Sequence, residues 1–123
     1  MKNVLVIEDD ENNYVLISDL LEYSGYSPRR AASGEEGVKL ATQTNPDVIL
    51  LDVHLPDIDG YEVLERLRES LAGSPVVIIA MTSYAMSGDR ERLLEAGCHG
   101  YIEKPIDPSR VIQEIEEIVG VTR

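Results

Sequence analysis

The chain has 123 residues, of which 43% are hydrophobic and 28% charged, enough for one closed core and too apolar for a disordered segment. Twenty-three acids against eleven Lys and Arg leave a formal charge of −12, which argues against direct binding to nucleic acid or to an anionic membrane surface. With six Tyr, no Trp and no Phe, the core has to be aliphatic.

The first element is the apolar run Val4 to Ile7. It is β-branched and too short for a helix, so it reads as a strand. A secretory leader would need an apolar region of roughly 7–15 residues. The acidic turn Glu8, Asp9, Asp10 and Glu11 follows. Asp10 and Glu11 read as acids at a helix N-terminus, where the dipole favours them. Tyr14, Ile17, Leu21 and Ser24 then share one helical face, and Gly25 stands at a C-cap position.

A weaker strand, Ser27 to Ala32, carries Arg29 and Arg30 and is therefore expected at an edge. Ser33 and Glu36 have capping-box spacing before Val38, and Asn45-Pro46 ends that helix. Val48 to Leu51 is a fully apolar strand that runs into Asp52. In the loop Pro56 to Gly60, Gly60 permits a tight turn and Asp59 can cap the next helix, whose inner face is Leu64, Leu67 and Leu71. The loop reads as support for the segment after Asp52.

Gly73 is a second C-cap candidate, followed by the apolar strand Val76 to Met81 and then Thr82 and Ser83. This is the longest later apolar run, far short of the ~20 residues of a membrane span. Gly97 is a third cap. Cys98, the only cysteine, has no partner for an internal disulfide, which fits a reducing compartment. The expected location is the cytoplasm. His99 to Ile102 is a weaker strand leading into Lys104-Pro105. Asp107 before Pro108 predicts an N-cap with proline at the first helical position, the helix carrying Val111, Ile115, Ile118 and Val119 and closing at Gly120.

Five strand–helix pairs predict an α/β domain over residues 1–123, with a parallel sheet between two helical layers. The three fully apolar strands belong inside and the two polar ones outside, which order 2-1-3-4-5 satisfies. In such a sheet the site lies beyond the carboxyl ends of the strands, at the switch between strands 1 and 3. Glu8, Asp9, Asp52, Thr82 and Lys104 all follow strand ends and should converge there. Crowded carboxylates raise one another's proton affinity. A hard divalent cation such as Mg²⁺, with Mn²⁺ as a substitute, would relieve them. A carboxylate nucleophile, a metal, a lysine and a hydroxyl suit phosphoryl transfer to an aspartate.

Four segments carry a family resemblance: Val4 to Glu11, Ile49 to Gly60 with Asp52 inside it, Met81-Thr82-Ser83, and Tyr101 to Pro105. Together, in order and at matching spacing, they resemble the marker motifs of two-component response-regulator receivers, which have a flavodoxin-like (βα)5 sandwich fold. The resemblance spans essentially the whole chain. It implies that Asp52 accepts the phosphoryl group. Asp9 and Asp52 hold Mg²⁺, with the His54 backbone carbonyl as the third protein ligand and Glu8 reaching the metal through water. The His54 ring is left facing solvent. Thr82 matches the hydroxyl that bonds a phosphoryl oxygen, although alone it would read as a strand-end residue satisfying backbone. Lys104 matches the family's lysine, and Lys104-Pro105 its cis peptide bond. Alone, a lysine is usually just solvated. Tyr101 matches the aromatic switch, against the plainer reading of a half-buried edge-strand aromatic. Leu55 stands where Met is common, a near-isosteric exchange.

His54 and Tyr84 lie two residues after the acceptor and the switch hydroxyl. These are the positions that tune acyl-phosphate hydrolysis in receivers. Neither residue is a small amide or acid, so a phosphorylated state lasting minutes or more is expected. The implied output surface runs over helix 4, strand 5 and helix 5, with Met86, Arg90, Tyr101, Glu103, Ile106 and Arg110 as candidates beside the plainer reading of a mixed-charge surface. Asn12, Asn13 and Leu16 on helix 1 would meet a histidine kinase or phosphotransfer protein. The stretch Tyr84 to Arg90 resembles receivers of hybrid kinases and cell-cycle regulators. Three residues follow Gly120. If the chain is complete, output is by protein–protein contact, as a monomer or a weak phosphorylation-dependent dimer.

Three other readings compete with this one. Asp57-Ile58-Asp59-Gly60 superficially matches the nucleophile motif of aspartate-based phosphatases, but its first Asp should end a strand and here Pro56 precedes it. A flavodoxin-type electron carrier needs a phosphate-cradling loop where this chain has acids. A degenerate receiver, working as a phosphorylation-independent interaction module, usually lacks the acceptor, the metal acids or the lysine, and all are here.

Overall fold

The computed structural model describes residues 2–83 and 87–122, without the side chains of 87–90, 121 and 122. Five strands alternate with five helices: β1 (Asn3–Ile7), α1 (Glu11–Tyr23), β2 (Ser27–Ala31), α2 (Gly34–Thr44), β3 (Val48–Asp52), α3 (Gly60–Ser70), β4 (Val77–Thr82), α4 (Ser87–Glu95), β5 (Gly100–Glu103) and α5 (Val111–Thr122). All pairings are parallel, in the order β2-β1-β3-β4-β5. The predicted flavodoxin-like sheet order is therefore the observed one.

Side chains alternate across the pleat, and this divides the core in two. Val4, Val6, Val48, Leu50, Val77 and Ile79 pack with Ile17 and Leu21 of α1 and Val111, Ile115 and Val119 of α5. Leu5, Ile7, Ile49, Leu51 and Ile78 pack with Ala41 of α2, Val63, Leu64 and Leu67 of α3 and Leu93 of α4. Every residue of β3 and β4 is buried, as a central parallel strand requires. At roughly 1.5–3 kcal/mol for each fully buried aliphatic side chain, these strands outweigh any single cap or surface ion pair. They hold their carboxyl ends rigid.

Local signals mostly land where the sequence puts them. Asp10 caps α1 by accepting from the Asn13 N–H, and Ser33 caps α2 by accepting from that of Glu36. Asn45 ends α2 in the left-handed region, φ 47°. Two expectations are corrected. Gly120 does not close the last helix but lies within α5, which continues to Thr122. Asp107 does not start the helix directly. Its Oδ1 accepts from the Ser109 N–H and hydroxyl, so a tight turn comes first and α5 begins at Val111. Cys98 is buried, and burial pushes its thiol above the ordinary range. Among the described residues, no helix is long and apolar enough to cross a membrane.

Candidate phosphoryl-accepting site

Among the described residues, the buried polar or charged side chains are Glu8, Ser18, Asp52 and Thr82. Three of the four stand at the carboxyl ends of central strands. Asp52 closes β3, Thr82 closes β4, and Glu8 directly follows β1. The Glu8 N–H donates to the Ala31 carbonyl at 3.0 Å, extending the β1–β2 ladder one step beyond the strand. Carboxylate oxygens of Glu8, Asp9 and Asp52 lie within 4.8 Å of one another, with Asp9 exposed and the other two buried. The predicted convergence is real.

Lys104 supplies the cation. Its Nζ lies 2.7 Å from Glu8 Oε1 and 3.1 Å from Asp52 Oδ2. Glu8 is the closer of the two contacts. The Lys104–Pro105 peptide is cis, as the resemblance implied. The Lys104 N–H donates to the Thr82 carbonyl at 2.8 Å, so the strand-end hydroxyl and the lysine are tied through backbone.

The loop after β3 is folded back on itself. The His54 N–H donates to Asp52 Oδ1 at 2.9 Å, while its side chain is exposed. The Gly60 N–H reaches the Val53 carbonyl at 3.3 Å, and a Cβ at Gly60 would lie 2.4 Å from Val53 Cα. Only glycine fits that approach. Asp59 then caps α3 by accepting from the Tyr61 N–H. A cleft of about 540 Å³ opens here between Asp9, His54, Leu55, Thr82 and Arg92.

The electrostatics follow from this packing. Burial, and next the hydrogen bond with Asp52, push Glu8 up to about 7 against the pull of Lys104. Burial would raise Asp52 as well, but the Glu8 hydrogen bond, the His54 N–H and Lys104 outweigh it and hold its carboxyl below the usual range. Burial works against the Lys104 charge, yet Glu8 and Asp52 keep its pKa above the ordinary value. One ammonium therefore contacts two of the three crowded carboxyls, and Glu8 is pushed toward its protonated form. An all-oxygen donor set short of positive charge fits a hard divalent ion such as Mg²⁺.

Other site expectations fall as follows. Tyr101 is half-buried on β5 and lines a groove of about 480 Å³ beside α5, with Glu103, Arg110 and Ile118. Asn13, Leu16, Lys104 and Ile106 line a separate cleft of about 390 Å³. Tyr84, Met86 and the Arg90 side chain lie outside the described residues. Two residues have roles that the sequence reading missed. Asp57 accepts from the Gly34 and Glu35 N–H groups at 2.9 and 3.1 Å, fastening the loop after β3 to the start of α2. Arg30, read only as an edge-strand charge, reaches the backbone of Glu8 and Asp9.

Comparisons with known proteins agree with this geometry. Residues 4–116 match the family described as the response regulator receiver domain. The polar-differentiation response regulator DivK of Brucella ovis is 42% identical over 97% of both chains. A CheY-like receiver domain protein from Methanospirillum hungatei has a TM-score of 0.88 at 29% identity, over 99% of this chain and 96% of that one. The receiver domain of the sensor histidine kinase PA1611 from Pseudomonas aeruginosa is 34% identical, with a TM-score of 0.85 over 97% and 98% of the two chains, and has a magnesium ion in its active-site cleft. The chain belongs to the response regulator receiver domain family of two-component systems.

Proposed function

We propose that this chain, as one receiver domain over residues 1–123, is a phosphorylation-dependent switch whose acceptor is Asp52. The observation that carries this reading is the burial of Asp52 at a strand end, with Lys104 Nζ at 3.1 Å and the Glu8 and Asp9 carboxyls beside it. A carboxylate oxygen of Asp52 forms the new bond to phosphorus as the bond to the donor imidazole of a histidine kinase or phosphotransfer protein breaks. Asp9, Asp52 and the His54 carbonyl would hold Mg²⁺, with Glu8 acting through water. Bound there, the ion would offset negative charge on the transferring oxygens. Lys104 pairs with Asp52 before transfer and with the phosphoryl group after it. Thr82 bonds a phosphoryl oxygen, and Tyr101 follows it inward, shifting a two-state equilibrium.

The donor docks on α1 at Asn12, Asn13 and Leu16, the last two of which line a cleft that also contains Lys104. The downstream protein meets the α4–β5–α5 face. The chain acts in the cytoplasm, as a monomer or a weak phosphorylation-dependent dimer, and catalyses only its own phosphorylation and dephosphorylation. His54 and Tyr84 set how long the phosphate survives.

Incubation with Mg²⁺ and acetyl phosphate tests this reading by intact mass. One added phosphoryl group is expected, absent in Asp52→Asn and in the presence of a chelator. The same time course should show decay over minutes rather than seconds. An unmodified wild-type chain would favour the phosphorylation-independent module instead.

A further inference from the structure

Arg30 lies on the edge strand β2, paired in register with Val6 of β1. Its neighbour Arg29 is exposed, whereas Arg30 is half-buried. Its Nε donates to the Glu8 carbonyl at 3.2 Å and its Nη2 to the Asp9 carbonyl at 2.9 Å. The guanidinium also lies 5.5 Å from the centre of the Tyr14 ring, in the first turn of α1. One side chain thus ties the edge strand, the acidic turn and the following helix together.

The acidic turn has an unusual demand placed on it. Glu8 and Asp9 are adjacent, and one is buried while the other is exposed. Both must nevertheless bring an oxygen to the same place as Asp52. Side-chain direction here depends on the two peptide groups that precede and follow Asp9. The Glu8 N–H is fixed by the Ala31 carbonyl. The carbonyls of Glu8 and Asp9 are fixed by Arg30. A planar guanidinium can donate to two consecutive carbonyls at once, while an ammonium is a single point charge. Groups that hold metal ligands in place contribute strongly to affinity without touching the metal.

We propose that Arg30 is a positioning residue for divalent-cation binding: its two hydrogen bonds hold the Glu8–Asp9 backbone so that both carboxyls meet Asp52. This rests on the reading of Glu8 and Asp9 as the metal-holding acids. The test is Mg²⁺ titration by calorimetry of the wild-type chain, Asp9→Asn, Arg30→Ala, Arg30→Lys and Tyr14→Leu. Each is assayed well below its melting temperature, with circular dichroism to show that it is folded. Arg30→Ala is expected to bind Mg²⁺ about tenfold or more weakly. Arg30→Lys should recover only part of the loss, and Tyr14→Leu should stay within about twofold of wild type. Folded Arg30→Ala with wild-type affinity would overturn the proposal. Full recovery by Arg30→Lys would assign the effect to charge alone, and a Tyr14→Leu loss as large as that of Arg30→Ala would assign it to the ring; either result overturns the two-bond clamp. If Asp9→Asn binds Mg²⁺ as the wild type does, the metal reading itself falls, independently of Arg30.

Discussion

At the carboxyl end of the sheet, Glu8, Asp9 and Asp52 crowd within 4.8 Å around a single lysine. Nearby in the same fold, Asp10, Asp57 and Asp59 each sit at the start of a helix with backbone N–H groups to accept from. The side-chain chemistry is the same, but Asp57 and Glu8 are shifted in opposite directions. The Gly34 and Glu35 N–H groups hold Asp57 below the usual carboxylate range. Burial and a neighbouring carboxyl push Glu8 up to about 7. Helix N-termini supply the positive partners of the first kind from the backbone, at no cost in side chains. The second kind are left short of positive charge, and that shortage is what makes them suited to a metal ion and a phosphoryl group.

The strongest way to break the contrast is to remove Lys104, the cation paired with Glu8 and Asp52. Lys104→Ala leaves Glu8 and Asp52 buried with no positive partner. Its loss should cost about 3–5 kcal/mol in urea unfolding at about pH 8 without metal. The penalty should shrink at about pH 5.5, where Glu8 takes up a proton and one of the repelling charges disappears. Equal stability of the variant and wild type at both pH values would mean that Lys104 does not compensate these acids.

Proton linkage sharpens the same point. The folded-state pKa of Glu8, about 7, is raised above its ordinary 4.5. The protonated form therefore stabilises the fold fully below about pH 4.5, and this contribution is lost as pH rises through about 7. The depressed Asp52 pKa works in the opposite direction and at lower pH, so it does not cancel this window. Mg²⁺ needs the ionised carboxylate and should displace the proton. The rise in melting temperature on adding Mg²⁺ is expected to be larger at about pH 8 than at about pH 5.5. A rise independent of pH would show that Glu8 does not take part.

Much of this was legible in the chain because it is written locally. Val48 to Leu51 and Val76 to Met81 are apolar without interruption, and all are buried. Asp52, Thr82 and Lys104 could be placed because each stands at or just after a strand end, and parallel order brings strand ends to one edge. What was missed depends on contacts between elements. Arg30 acts on carbonyls 22 and 21 residues away, which only the β1–β2 register reveals. Glu8 is closer to Lys104 than Asp52 is, across a separation of 96 residues. The ends of α5 were misplaced for a different reason. Gly120 and Asp107-Pro108 are sound local signals, but Val119 packing in the core carries the helix past the glycine.

Asp57 gives the smallest effect and the cleanest control. It lies five residues after Asp52, in a sequence that superficially suggests a nucleophile, yet its carboxylate is occupied by two backbone N–H groups of α2. Asp57→Ala should cost about 1 kcal/mol in urea unfolding at neutral pH, the usual loss of a helix-capping acceptor. Mg²⁺ affinity should be unchanged, because Asp57 is not among the clustered acids. Phosphorylation by acetyl phosphate should still occur at Asp52. A variant that keeps its stability but loses Mg²⁺ binding would reverse the assignment and place Asp57 with the site acids rather than with the caps.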